Sequence, residues 1–158
     1  MMKFQRQLNI LWVMIICIAL ATAFWFQFVK GKAPCPLCLF QRLAMAGIGL
    51  SAVMNIRFGL KVEHYAFSIL FAAVGCLVSF RLAPFGGKVL GYSLSSWSAI
   101  VFVSSIVAAA ILLLFFSQTK PEDAIPKWGK IEKGVFTLFT LLIVANIITI
   151  LSSSLLQQ

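Results

Sequence analysis

Five runs of about twenty apolar residues, parted by short polar segments, govern what this 158-residue chain can build. A helix rises about 1.5 Å per residue, so each run has roughly the length needed to cross a hydrocarbon layer of about 30 Å. The runs fall near 8–29, 39–56, 65–80, 97–116 and 135–151, and the third is the shortest. With 61% hydrophobic and 11% charged residues, too little polar surface remains to cover a water-soluble globule, so lipid is the expected solvent. The pattern predicts an all-α fold: a polytopic transmembrane helical bundle of a four-helix core plus one C-terminal span. Residues 1–158 would then form a single integral membrane domain.

A net charge of +9 points to a membrane surface and argues against nucleic acid, because the basic residues cluster between apolar runs and form no continuous stripe. A cytoplasmic N-terminus places Lys3, Arg6, Arg57, Lys61, Lys120, Lys127, Lys130 and Lys133 inside, against Lys30, Lys32 and Lys88 outside. That is the orientation the positive-inside rule favours. Lys3 and Arg6 before an apolar run also suit a signal peptide, but the run continues through Phe24-Trp25-Phe26, which predicts a retained helix. His64, at a span end, is expected to meet headgroups or water. Asn55 and Asn146, inside spans, are expected to bond between helices.

The longer connections differ in composition. The inner one, 117–134, carries Pro121, Pro126, Lys127 and Trp128, a turn followed by a segment suited to anionic headgroups; the outer one, 82–96, is rich in glycine and serine and so free to bend or to lie on lipid.

The four cysteines divide into two kinds. Cys17 and Cys76 fall mid-span, where a thiol behaves as a small apolar group. Cys35 and Cys38, as Cys35-Pro36-Leu37-Cys38, lie at the outer boundary with the spacing of a redox dithiol. Zinc is the weaker reading because no second Cys or His pair exists on that side. A static disulfide remains open, although so small a closed loop adds little stability.

Pro36 is suited to open a helix, which puts Cys38 among the unpaired amides of the first turn. The dipole there favours a thiolate on Cys38, and Arg42, four residues on, shares its face. Cys35, just outside the helix, is the expected exchange partner. A guanidinium inside an apolar span marks a candidate functional site. A quinone suits it, with an apolar ring, carbonyl oxygens that accept hydrogen bonds, and negative charge that Arg42 would stabilise.

Trp25-Phe26-Gln27 together with Pro34-Cys35-Pro36-Leu37-Cys38-Leu39-Phe40-Gln41-Arg42 resembles the signature of the disulfide bond formation protein B family. The stretch Leu90-Gly91-Tyr92-Ser93-Leu94-Ser95-Ser96-Trp97 resembles, more loosely, a five-span branch of it. The resemblance implies a bacterial inner-membrane bundle that reoxidises a periplasmic thiol oxidase of thioredoxin-like type and passes electrons to ubiquinone or menaquinone. It implies Cys35 and Cys38 as the redox pair, with Arg42, Gln41, Trp25 and Gln27 on the quinone side.

The chain departs from that pattern in one respect: it has no second outer cysteine pair, and serines stand at 152–154 where the five-span branch often has cysteine. Three consequences stay open. A partner attacks Cys35 directly, another protein supplies the missing pair, or the chain is an accessory subunit of a larger membrane assembly with a static Cys35–Cys38 disulfide. The vitamin K epoxide reductase family also couples such a motif to a quinone, but its motif comes late in the bundle.

Overall fold

A computed structural model describes residues 2–29, 36–82, 88–89, 91–116 and 129–155. It contains five long helices, α1 (Met2–Phe28), α2 (Pro36–Phe58), α3 (Val62–Leu82), α4 (Leu94–Phe116) and α5 (Lys130–Leu155). All five are long and apolar enough to cross a membrane. The chain is thus a helical bundle of a multi-pass membrane protein. The helices overrun the apolar runs at several ends, α1 beginning at Met2 and α5 at Lys130.

Local chemistry sets the boundaries. Pro36 is the first residue of α2, where its missing N–H costs nothing. Beyond Phe58 the backbone turns at Gly59, whose φ of 85° lies in the left-handed region that a side chain disfavours. Lys61 N–H then donates to Asn55 Oδ1 at 3.3 Å, so α3 begins after a very short turn. Before α4 the strands β1 (Lys88–Val89) and β2 (Tyr92–Ser93) pair antiparallel. Ser93 caps α4, its Oγ accepting from Ser96 N–H at 3.1 Å. Glu132 accepts from Gly129 N–H at 2.8 Å at the start of α5 and from Arg6 of α1 at 2.6 Å. Most of the inner connection, residues 117–128 with Pro121, Pro126, Lys127 and Trp128, lies outside the described residues.

α2 is the hub. Buried residues make up 61% of its apolar window, against 33% or less in each other helix. α1 and α3 flank it, α4 packs mainly on α3, and α5 packs on α1 and to a smaller extent on α2. Val13, Ile16, Leu20, Ile48, Ala72, Phe102 and Phe139 form the centre of the core. Phe139 of α5 lies over Gly49 of α2 so closely that a methyl group there would overlap its ring. Leu11, Ile18, Leu77, Leu114 and Leu141 point outward, as expected where the surroundings are apolar. Cys17 and Cys76 are free thiols within the core.

His64 corrects the sequence expectation. It is buried, with Nδ1 3.0 Å from Asn55 Oδ1, and its carbonyl accepts from the Ser51 hydroxyl. Asn55 Nδ2 reaches Asn9 Oδ1 at 3.4 Å, and Asn9 Nδ2 reaches Tyr65 Oη at 3.2 Å. Asn9, Asn55, His64 and Tyr65 thus link α1, α2 and α3 through buried side-chain contacts at this end of the bundle.

Candidate functional site at the Cys38 end of the bundle

Cys38 is the third residue of α2 and is half-buried. It is disulfide-bonded, and its partner lies outside the described residues, as does Cys35. The first-turn amides of a helix carry the positive end of the peptide dipoles, an environment that stabilises sulfur anion once such a bond opens.

Arg42 follows one turn deeper and is only 7% exposed. Its contacts come from the last turns of α1. Nη1 donates to Gln27 Oε1 at 2.6 Å, Nη2 donates to the Ala23 carbonyl at 3.1 Å, and the guanidinium carbon lies 5.2 Å from the centre of the Phe24 ring. Among the described residues no carboxylate pairs with it. The cation is instead balanced by a carboxamide oxygen, an aromatic face and the negative, C-terminal end of the α1 dipole. The seam between α1 and α2 thus brings together Cys38, Arg42 and Gln27.

The structure engages the remaining two sequence candidates elsewhere. Gln41 is buried on another face of α2, where Nε2 donates to Ser79 Oγ at 2.8 Å and to Ser95 Oγ at 3.3 Å. Ser95 Oγ in turn donates to the Ser79 carbonyl at 2.7 Å. The Gln41 side chain thereby ties α2 to both α3 and α4. Trp25 is 60% exposed and lines an apolar groove of about 600 Å³ between α1 and α5, along with Phe24, Phe28, Leu142, Ala145 and Thr149.

Phe24 and Ala23 were missed by sequence reading. Phe24 was visible only as part of an interfacial aromatic cluster, and the Ala23 contact uses its backbone carbonyl, which no residue type announces.

Comparison with known proteins identifies the family of the chain. The family profile described as "Disulfide bond formation protein DsbB" matches residues 5–86, which is just over half of the chain and spans α1 to α3. The Disulfide bond formation protein B 1 of Pseudomonas fluorescens strain Pf0-1 is 28% identical over 141 residues, covering 62% of this chain and 83% of that protein. The Disulfide bond formation protein B of Haemophilus influenzae strain 86-028NP is 32% identical over 88 residues, covering 51% of this chain and 50% of that protein. That of Burkholderia ambifaria is 50% identical over 40 residues, a quarter of this chain. No solved structure matches. With the profile match running through the helices that carry Cys38, Arg42 and Gln27, the chain belongs to the DsbB family of disulfide bond formation proteins.

Proposed function

We propose that this chain is a quinone-coupled thiol:disulfide oxidoreductase of the bacterial inner membrane, with its N-terminus cytoplasmic and Cys35 and Cys38 on the periplasmic side. The observation that carries the reading is the disulfide-bonded Cys38 in the first turn of α2, with the buried guanidinium of Arg42, bonded to Gln27, one turn deeper. This reading takes Cys35 as the partner of Cys38, and the freedom of the other two cysteines, Cys17 and Cys76, supports it.

In this reading a reduced periplasmic thiol oxidase of thioredoxin-like type attacks Cys35 and releases Cys38 as a thiolate. A second partner thiol then resolves the mixed disulfide, so the partner leaves oxidised, the two electrons stay on the Cys35 thiol and the Cys38 thiolate, and the second proton passes to solvent. Ubiquinone or menaquinone supplies the two-electron acceptor that returns the pair to the disulfide. The residues present fit such a group. Two of the five N–H donors of Arg42 are taken by α1, no carboxylate among the described residues neutralises the cation, and Gln27 fixes its plane. Arg42 holds positive charge where negative charge accumulates, and the helix dipole holds Cys38 as thiolate.

The lack of a second outer cysteine pair favours a second reading, an accessory subunit with a static disulfide. Reduced protein mixed with decylubiquinone, followed by thiol trapping, separates the two. Reoxidation that disappears in Cys38→Ala and slows in Arg42→Ala supports the oxidoreductase. A folded wild-type protein whose thiols ignore the quinone rejects it and leaves the accessory subunit.

A further inference from the structure

Three buried side chains meet where α2 begins, α3 ends and α4 begins: Gln41, Ser79 and Ser95, each at most 6% exposed. The proton of each hydroxyl is already spent. Ser79 Oγ donates to the Gly75 carbonyl at 2.8 Å, and Ser95 Oγ donates to the Ser79 carbonyl at 2.7 Å. A hydroxyl carries one proton, so toward Gln41 both oxygens can only accept. The two N–H groups of the Gln41 carboxamide are the matching donors, at 2.8 and 3.3 Å. The cluster therefore runs in one direction, and a side chain at 41 without donors cannot close it.

Gln41 stands three residues after Cys38 and directly before Arg42. Adjacent residues point about 100° apart around a helix, so Arg42 ties α2 to α1 while Gln41 ties it to α3 and α4. The helix is gripped on two flanks within two turns of its start. Helix ends fray when nothing holds them, and the first-turn amides favour a Cys38 thiolate only while that turn stays wound. A disulfide sulfur carries no charge, so the grip acts on the reduced state far more than on the oxidised one. It also reaches the outer connection. β2 ends at Ser93, whose Oγ caps α4, and Ser95 follows two residues on. Residues 82–96 hold no cysteine, and hydrogen bonds make their link to the helix of Cys38.

We propose that Gln41 is a positioning residue: with Ser79 and Ser95 it holds the first turn of α2 in place and thereby sets the redox equilibrium of the Cys38 disulfide. The inference rests on the reading of Cys38 as a working redox sulfur paired with Cys35, and it moves Gln41 from the quinone side to the support of that sulfur. Loss of the clamp loosens the turn, weakens the hold on the thiolate and shifts the equilibrium toward the disulfide.

The test equilibrates the full chain in lipid nanodiscs with glutathione buffers and reads the reduced fraction of Cys38 by thiol trapping and peptide mass mapping. Two glutathione thiols give two electrons and two protons to the disulfide, forming glutathione disulfide and two cysteine thiols, of which Cys38 then loses its proton to solvent. Gln41→Leu is expected to lower the equilibrium constant for reduction about tenfold, about 30 mV for two electrons. Ser95→Ala removes one of the two acceptors and is expected to lower it about fourfold, whereas Ser95→Thr keeps the hydroxyl and stays within about twofold. Ser95→Ala decides the matter if Gln41→Leu fails to fold. Gly49→Ala strains the Phe139 contact about two turns deeper in α2. It is expected to lower the melting temperature and to leave the constant within about twofold.

A constant within about twofold of wild type in the clamp variants that fold overturns the proposal, as does a shift toward the thiols. An equal shift in Gly49→Ala also overturns it, since that reports general loosening. Glutathione takes no part in quinone coupling, so the two readings fail separately. A clamp-dependent equilibrium in a protein whose thiols ignore quinone rejects the coupled function and keeps the positioning role. Quinone-driven reoxidation with an equilibrium indifferent to the clamp does the reverse.

Discussion

Arg42 of α2 holds Gln27 of α1 by a 2.6 Å hydrogen bond in which a buried cation meets a neutral oxygen. Replacing either partner has different consequences. Gln27→Ala leaves a charged donor unpaired and is expected to cost about 1–3 kcal/mol, seen as a lower melting temperature in detergent. Arg42→Lys keeps the charge but loses the planar fork that reaches Gln27 and Ala23 together. Its expected signature is quinone-dependent reoxidation slowed at least about tenfold, roughly 1.4 kcal/mol in the barrier. A rate equal to wild type would remove Arg42 from the chemistry.

The notch at Gly49 predicts a packing defect. Gly49→Ala places a methyl group against the Phe139 ring and is expected to destabilise the bundle by about 1–3 kcal/mol. Combined with Phe139→Ala the loss should be smaller than the sum of the two single changes, because the second change makes room for the first. Thermal unfolding of the four members of the cycle reads this directly, and strict additivity would place the two residues apart.

Glu132→Ala removes two interactions at once, the bond to Arg6 and the cap on Gly129 N–H. Both side chains of the ion pair are partly shielded, at 25% and 10% exposure, so an expected loss of about 1–2 kcal/mol combines a cap with a modest pair. Glu132→Gln keeps much of the cap and should lose less. Melting curves of the two variants at low and high salt distinguish the components, since only the pair is screened.

Thiol accessibility should follow the fold. Cys17 and Cys76 are 4% and 9% exposed, whereas Cys38 is half-buried and disulfide-bonded. A maleimide probe is expected to leave the oxidised protein unlabelled at these three positions and to modify Cys38 after reduction, as read by peptide mass mapping. Ready labelling of Cys17 in native membranes would show a bundle that opens.

Much of this was legible in the sequence for simple reasons. Hydropathy located five helices because apolar length alone determines what crosses a bilayer. Cys38 and Arg42 were legible as a pair because four residues bring two side chains to one helix face. What escaped depended on crossings between helices. His64 looked interfacial because nothing local shows that Asn55 waits on the neighbouring helix to receive it. Asn146, expected to bond across helices, bonds to its own Leu142 carbonyl instead. Gln41 sits beside Arg42 in the motif, yet one residue turns it about 100° around the helix, to Ser79 and Ser95.

The central position of α2 also bears on how the protein is made. Chains enter the membrane N-terminal segments first, so α1 and α2 arrive as a hairpin before α4 and α5 have been synthesised. The bonds from Arg42 to Gln27 and Ala23 lie entirely within that hairpin. The charged residue that is hardest to leave in hydrocarbon is therefore sheltered by its nearest predecessor in the chain. Later helices dock onto a nascent unit whose most vulnerable group is already protected, so failures of biogenesis should concentrate in substitutions on the last turns of α1.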